Sequence, residues 1–448
     1  MFQLKILRNP KSFTHMFYQR RFVVKKKWAR HNKEKEYKQL ALEHFDYYHQ
    51  QTFNEQWPSV RLALLSQPKY SALLNNFSSK CEEIGLDLLG EGSYDIIQLG
   101  IERHKELSNT ESDKLQLQST LLDIKSTDIE KNDSKNDILE EEDDRTDLYR
   151  FVPAEKVYTD EELFAMEEHD ANILEPGSFD VKTVPDTNFR LPNLLKVFTQ
   201  PMGEVAYFSP PKGDASGKLG YYPLDGASIL PVLALNLQPD DSVLDLCAAP
   251  GGKSLAILQT HLPGLVICND LSGSRMRRLR SVIDSYLPDS IRDESEVILF
   301  SKDARTADFG IQCDKVLVDV PCLTDRHCLN ENDNNIFKPG RVSQRMKLTS
   351  TQRDLLIAGI KACKPGGSIV YSTCTSTMPQ NDGVIQAALE HIWETTKIDV
   401  VVQDTSVMRT LFKDTYKFYD KCRYGQLVLP HIQANFGPMY FCKLKRLN

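Results

Sequence analysis

No run of eighteen apolar residues occurs anywhere in this chain of 448 residues, so nothing in it is long and apolar enough to cross a bilayer as a helix. CxxC pairs are missing, and the ten cysteines form no even framework, which excludes a disulfide scaffold and fits a thiol-reducing compartment. Cys322, His327 and Cys328 share one short stretch, but no second ligand pair stands at finger spacing, so no metal site is expected. There is no internal repeat, and no separate RNA-binding module is recognisable. What the chain does have is 41% apolar against 26% charged residues, enough to build a buried core and to exclude wholesale disorder.

Acid is the other absence. Ten lysines and arginines, from Lys5 to Lys33, precede the first carboxylate at Glu34, with Phe2, Leu4, Ile6, Leu7, Phe13, Met16 and Phe17 among them. A basic, acid-free amphipathic leader is expected to be a mitochondrial transit peptide over 1–33, which places the protein in the matrix. A nucleic-acid arm, or a nuclear signal built on Lys25–Lys27, is the alternative. The whole chain sums to −7, so the remainder without the leader carries −17.

Helical spacing over 34–77 (Leu62, Leu65, Tyr70, Leu73, Leu74) predicts a small helical region extending to about residue 100. Fifteen acidic residues between 101 and 150, including the run Glu140–Asp144, predict an acidic, largely disordered linker that reaches about residue 195. Beyond 225, short apolar runs alternate with helical segments. Strands are expected at 242–247, 264–269, 296–301, 315–320 and 367–373, and a terminal hairpin at 426–430 and 438–444. The fold class is therefore α/β: a doubly wound, mostly parallel, seven-stranded Rossmann-like sheet of the class I methyltransferase type, occupying 196–448.

Asp245-Leu246-Cys247-Ala248-Ala249-Pro250-Gly251-Gly252-Lys253-Ser254 closes the first strand and opens a helix with two glycines at a tight turn. A phosphate-cradling loop would need glycine where Cys247 stands, and adjacent Gly251 and Gly252 do not make a dinucleotide fingerprint. S-adenosylmethionine remains, because its amino-acid end can lie over a small-residue turn without a pyrophosphate nest. Asp270 follows Gly252 by 18 residues at the end of the next strand, where a ribose-binding acid belongs, and Asp303 closes the third strand beside the adenine position. The alternative for Asp270 is a helix cap.

Asp319-Val320-Pro321-Cys322 and Ser372-Thr373-Cys374 end the fourth and fifth strands, which puts both thiols at the carboxyl edge of the sheet. Cytosine C5 is too weak a nucleophile to take a methyl group unaided, whereas thiolate addition at C6 makes C5 enamine-like. Asp319 is the candidate for holding the N3/N4 edge. Both cysteines could instead be small buried hydrophobes, as Cys247, Cys268, Cys363 and Cys442 look.

DLCAAPGGKS, ND at 269–270, DVPC at 319–322, STC at 372–374 and YPLDGASILPVLAL ahead of the first strand together resemble the NSUN family of RNA cytosine-5 methyltransferases over about 196–448. KKKWA at 25–29, WPSVRLALLS, DVPCLTDRH, NNIFK and NFGPMYFCK look like the family's mitochondrial ribosomal-RNA branch. The resemblance implies a nucleophile at Cys374, product release by Cys322, cofactor contacts at Gly251, Gly252, Lys253, Asp270, Arg275, Asp303 and Asp319, and a substrate in mitochondrial small-subunit rRNA. Lys253 and Asp319 also enter the catalytic set. Ala304 stands where the family often has glycine, which puts that one backbone contact in doubt. A helical-repeat partner of the mitochondrial transcription-termination-factor type is implied too, with no membrane association and no homo-oligomer.

A body at −17 repels RNA overall, so affinity must come from local basic surface. Lys338, Arg341, Arg345, Lys347 and Arg353 form one acid-free stretch beside Cys322, and Arg275, Arg277, Arg278 and Arg280 share a helix after Asp270. An assembly scaffold and a tRNA methyltransferase remain competing readings.

Overall fold

The computed structural model describes residues 36–107, 181–204, 208–293 and 296–448. The leader at 1–33 and most of the acidic linker lie outside the described residues.

Five short, almost wholly apolar strands make the parallel core: β6 (Ser242–Asp245), β7 (Leu265–Asn269), β8 (Val297–Phe300), β9 (Cys313–Asp319) and β10 (Cys363–Thr373), in spatial order β10-β9-β6-β7-β8. Strands covered by helices on both faces must be apolar on both, and alternate residues here enter two separate cores. Leu244, Ile267, Val316, Val318 and Tyr371 face one, while Val243, Val266, Leu317 and Val370 face the other. On the first side lie α9 (Leu348–Ala362) and α10 (Asp382–Thr395), and on the second α5 (Leu230–Ala234), α6 (Gly252–Leu258) and α7 (Gly273–Tyr286). Packing of α9 on β9 is close. A Cβ at Gly359 would come within 2.6 Å of Val318.

The expected hairpin, β13 (Gln426–Leu429) and β14 (Met439–Arg446), joins this core antiparallel to β10 and completes seven strands. Three more extend the sheet to ten: β12 (Lys417–Tyr419) on β13, β11 (Val400–Asp404) on β14, and β3 (Thr183–Pro185) on β11.

Two boundaries differ from expectation. Leu73 and Leu74 belong to a strand, not a helix: β1 (Ser71–Leu74) is buried throughout and pairs with β4 (Val197–Thr199) and β5 (Tyr221–Leu224), which with β2 (Tyr94–Asp95) make a separate antiparallel sheet. Pro68 ends the helical run, and pairing across about 150 positions then decides the conformation, as tertiary context commonly does for short apolar runs. The supposed linker also enters the fold at both ends. Its first residues finish helix α4 (96–107), and Phe189, Leu191 and Val181 are buried beside β3.

Helices α1 (Tyr37–Phe53), α2 (Trp57–Leu65) and α3 (Cys81–Gly90) make up the rest of the amino-terminal part. α1 and α2 pack against α8 (Asp325–Asn330), and Arg326 of α8 is the strut between them and the hairpin loop. Its guanidinium donates to the carbonyls of Ala63 (3.2 Å), Asn435 (3.1 Å) and Gly437, and to Asn435 Oδ1 at 2.6 Å. Burial pushes its pKa down against the opposing charge of Asp225, so the fold holds this cation by hydrogen bonds and nearby acids at some cost.

Arg326→Ala would strand those acceptors and is expected to lower unfolding free energy by about 2–4 kcal/mol, read as a lowered urea midpoint. Arg326→Lys should recover only a minor part, because one ammonium cannot reproduce the planar fork.

Candidate active site

The turn after β6 is built for close approach. Gly251 has φ +117°, a left-handed conformation open to glycine, and a Cβ there would meet Leu279 at 2.8 Å. Gly252 starts α6 with Tyr222 only 3.2 Å from where its Cβ would stand. Beneath the turn, Asp245 is buried and accepts from Ser254 Oγ at 2.7 Å. Burial first, then the charge of Asp319, pushes its carboxyl up to about 7 against the pull of Ser254.

Beside the turn a cleft of about 910 Å³ runs along the carboxyl ends of β6, β7 and β8, lined by Cys247, Asp270, Arg275, Asp303 and Ala304 and bounded by Arg341. Four of the expected cofactor residues therefore meet in one place. Asp270 is 3% exposed. Its Oδ1 accepts from Ser272 N–H at 2.8 Å in a turn ahead of α7, whose cap is Ser272 and not Asp270, while its buried Oδ2 accepts no hydrogen bond and faces Arg275 at 3.2 Å. Asp303 is gripped by its neighbour, with Arg305 donating through Nε (3.0 Å) and Nη2 (2.7 Å), which holds its carboxyl below the usual range. Lys253 and Asp319 do not line this cleft. They pair with each other instead, Lys253 Nζ donating to Asp319 Oδ2 at 2.8 Å, while Ser372 Oγ donates to Oδ1 at 2.7 Å. Burial alone would depress the Lys253 ammonium, but Asp319 outweighs it and holds the pKa above its ordinary value.

Cys322 and Cys374, 52 positions apart in sequence, place their sulfurs 3.1 Å from one another. Thr324 Oγ1 lies 3.8 Å from the first and 3.6 Å from the second. Hydrogen bonding from Cys322 lowers the Cys374 pKa against the opposing effect of burial, with Lys253 helping, and the same contact raises Cys322. The other strand-end and strand-interior thiols behave as packing groups. Burial pushes Cys268 and Cys363 up to about 12, and Cys247 and Cys442 well above the ordinary value.

The basic stretch wraps the same edge, yet most of its members are engaged within the fold. Arg341 donates to Asn334 O and to Gln344 Oε1 (2.8 Å), Arg345 lies over the Phe337 ring at 4.8 Å, Lys338 over Tyr37 at 5.5 Å, and Arg353 pairs with Asp354 at 2.9 Å. Lys347 joins a short helix, Val342–Met346, to α9.

Sequence reasoning missed the groups that hold the two cysteine loops together. Ser376 donates to Asp325 Oδ2 through N–H (2.8 Å) and Oγ (2.6 Å), and its hydroxyl also meets His49 Nε2 at 3.1 Å. Since that hydroxyl gives its hydrogen to Asp325, the imidazole contributes an N–H. Burial, then His44, lowers the pKa of His49 to about 3, so the ring is neutral. A buried acid three residues after Cys322 was the available signal.

Comparison with known proteins follows from this geometry. Residues 232–445 match the family described as 16S rRNA methyltransferase RsmB/F. The 5-cytosine rRNA methyltransferase NSUN4 of Mus musculus is 38% identical over 430 residues, covering 96% of this chain and 94% of that one. The chain belongs to the NSUN family of RNA cytosine-5 methyltransferases. The NSUN likeness reaches the nematode: nsun-4 of Caenorhabditis elegans, also a 5-cytosine rRNA methyltransferase, is 34% identical over 91% of both chains. A tRNA (cytosine(34)-C(5))-methyltransferase, mitochondrial, of Mus musculus is 40% identical, but over 50% of this chain and 64% of its own. The crystal structure of PH0851 aligns with 90% of this chain and 68% of that one at a TM-score of 0.50 and 15% identity, a likeness of fold. As an NSUN enzyme the protein uses S-adenosylmethionine. The residues present fit it: the buried, unsatisfied Asp270 Oδ2 at the cleft wall is an acceptor in want of a hydroxyl donor.

Asp245 yields a pH test. Its folded pKa lies near 7 against an ordinary 3.8, so the folded state binds the extra proton and loses stability as pH rises through that interval. The stability of Asp245→Asn relative to wild type should therefore climb between about pH 4 and pH 7 by a few kcal/mol and level off above, measured by urea unfolding across pH.

Proposed function

We propose that the protein methylates C5 of a cytosine in mitochondrial small-subunit ribosomal RNA through a covalent Cys374–C6 adduct, acting in the mitochondrial matrix during assembly of the ribosomal subunit. The observation that carries this reading is the Cys322–Cys374 pair, sulfurs 3.1 Å apart, beside a partly buried Lys253–Asp319 ion pair.

Cys374 is the nucleophile. The Cys322 S–H faces its sulfur and the Lys253 ammonium adds a favourable charge, so a thiolate there is supported before RNA arrives. Its sulfur adds to C6; Asp319, oriented by Lys253 and Ser372, accepts from the N4 amino group, and the Lys253 ammonium beside it supplies the proton or hydrogen bond that meets the charge developing at N3. S-adenosylmethionine, when bound, supplies the methyl group that C5 acquires. Asp270 and Arg275 would hold its ribose, with Asp303 and Ala304 on the same cleft and Gly251 and Gly252 in the turn beside it. Once Cys374 is bonded to C6 it no longer accepts from the Cys322 S–H; Cys322 gives that proton to solvent and as a thiolate removes the C5 proton, the electron pair re-forms the C5–C6 double bond, and the Cys374–C6 bond breaks, returning a thiolate. Lys338, Arg341, Arg345, Lys347 and Arg353 surround the entrance and steer the RNA backbone, some by exchanging present contacts for phosphate.

Ribosomal rather than transfer RNA is favoured because likeness to the rRNA enzymes includes the amino-terminal helices and β1, whereas likeness to the tRNA enzyme covers half the chain. A net acidic body further supports a basic helper protein of the helical-repeat, transcription-termination-factor type.

Two measurements test the assignments. Asp270→Ala should weaken S-adenosylmethionine binding by about 1.5–3 kcal/mol in a calorimetric titration, with the fold intact; equal affinity would remove Asp270 from the cofactor site. On a denaturing gel with labelled RNA, Cys322→Ala should retain a covalent band and Cys374→Ala none. A band with Cys374→Ala alone reverses the two roles, and turnover persisting in both variants returns the cysteines to packing.

A further inference from the structure

At the opposite end of the parallel strands the sheet opens into a second cleft, of about 660 Å³, and its charge is unlike that of the rest of the protein. Lys182, Arg190, Lys315, Lys443 and Lys445 line it, against the single carboxylate of Asp186. They come from four separate parts of the fold: β3 and the loop after it, β9, and two alternate positions on β14. Register explains the convergence. Ser368 of β10 pairs with Lys315 on one side and Lys445 on the other, so these two lysines stand in one row across a sheet face, and Lys443, two residues from Lys445, shares that face. With β10 between them and strands about 4.8 Å apart, Lys315 and Lys445 stand about 10 Å from one another, near enough to repel across a partly buried face.

Neutralisation is incomplete. Asp186 is consumed by the buried Lys443, whose Nζ donates to Oδ2 at 2.6 Å, and Asp241 reaches Lys315 at 3.9 Å. Lys182, Arg190 and Lys445 form no ion pair among the described residues. The neighbours Lys315 and Lys445 also help burial depress the pKa of Lys443, an independent sign that the cations crowd one another. The loop carrying Arg190 is fixed rather than loose: Asn236 accepts from Arg190 N–H at 3.2 Å and donates to Asn188 O at 2.9 Å. In a body of −17, a concave site holding five cations and one spent carboxylate is matched to an anion of high charge density.

We propose that this cleft binds phosphates of the RNA backbone, as a second contact on the substrate remote from the cysteines. The proposal rests on the RNA substrate read above. From Ser368 to Cys374 the strand spans about 20 Å at 3.3 Å per residue, so an RNA presenting its target base to Cys374 must run past the sheet edge to reach the second cleft. A ribosomal RNA domain does so, while a short oligonucleotide around the target does not. Exposed Lys182 and Arg190 and half-buried Lys445 would carry the phosphate contacts, with Lys443 and Asp186 holding the floor.

The test compares wild type with Lys182→Gln/Arg190→Gln/Lys445→Gln, with folding monitored by circular dichroism and by retained S-adenosylmethionine binding. Filter binding of a long ribosomal RNA fragment across a salt series should show affinity falling by about tenfold or more and the log–log salt slope shrinking by about 2, as expected for two or three lost phosphate contacts. Methyl transfer to a short target oligonucleotide should be unchanged. Equal long-RNA affinity and slope in the two proteins overturns the proposal. Full displacement of long RNA by a nucleoside triphosphate at matched ionic strength also overturns it, assigning the cleft to a small phosphate ligand. If wild type itself neither binds nor methylates RNA, the substrate reading fails and takes this one with it. Should the triple variant misfold, Lys445→Gln alone must still lower the slope by about 1 for the proposal to stand.

Discussion

Parallel pairing of β9 with β10, with Asp319 opposite Ser372, is the constraint on which the rest of the site depends. Neighbouring parallel strands end side by side, so loops leaving them at the same level are forced together. Cys322 comes three residues after one member of that pair and Cys374 two after the other, and the Ser372–Asp319 hydrogen bond fixes the level at which the strands stop. Ser376 and Asp325 then tie the two loops again beyond the cysteines, so the sulfurs are clamped from below and from above. Strand register, rather than any property of the thiols, makes them neighbours.

Around that clamp the protein concentrates charge where water is scarce. Asp245, Lys253, Asp319 and Asp325 are held in or beside the core, and each is engaged differently: a raised carboxyl with one oxygen on a serine, an ion pair shared with a second serine, an acid with one oxygen on a backbone N–H and a hydroxyl. The ion pair matters most for chemistry. A carboxylate and an ammonium already oriented against each other can offer an acceptor and a donor to the ring edge with little reorganisation, which is what stabilising a changing charge there requires. Asp270 differs from these in its place, because its Oδ2 without a hydrogen bond stands on a residue that lines the cofactor cleft, where a ligand can complete it.

Much of this was legible because it is local. The strand-end motifs, the glycine turn and the two cysteines each lie within ten residues of sequence, and alternation of apolar runs with helices gives the five parallel strands directly. What stayed hidden is non-local. Ser376 finds Asp325 across 51 positions and His49 across 327, and neither serine nor histidine carries a pattern that predicts such a partner. Leu73 and Leu74 fit a helical stripe until β5, from far along the chain, pairs with them. The short strands β3, β11 and β12 have too few residues to show a period, and they exist because β13 and β14 offer edges to extend. Charge in the loop after Cys322 was visible, but its use was not: Arg345 and Lys338 had been set down for RNA alone, and both also rest on aromatic rings.

Arg326 has a consequence for the order of folding. Its acceptors lie at residues 63 and 435–437, and Asn435 Nδ2 itself donates to Ala63 O and Gln67 O, so the amino-terminal helices find their seat on groups some 370 positions away. During synthesis those helices must wait, unpaired on this face, while more than 350 residues are added at roughly 5–20 residues per second. They leave the ribosome early and reach their place late. The segment that braces the cysteine loops is thus assembled at the end, and incomplete chains cannot bring His49 to Ser376.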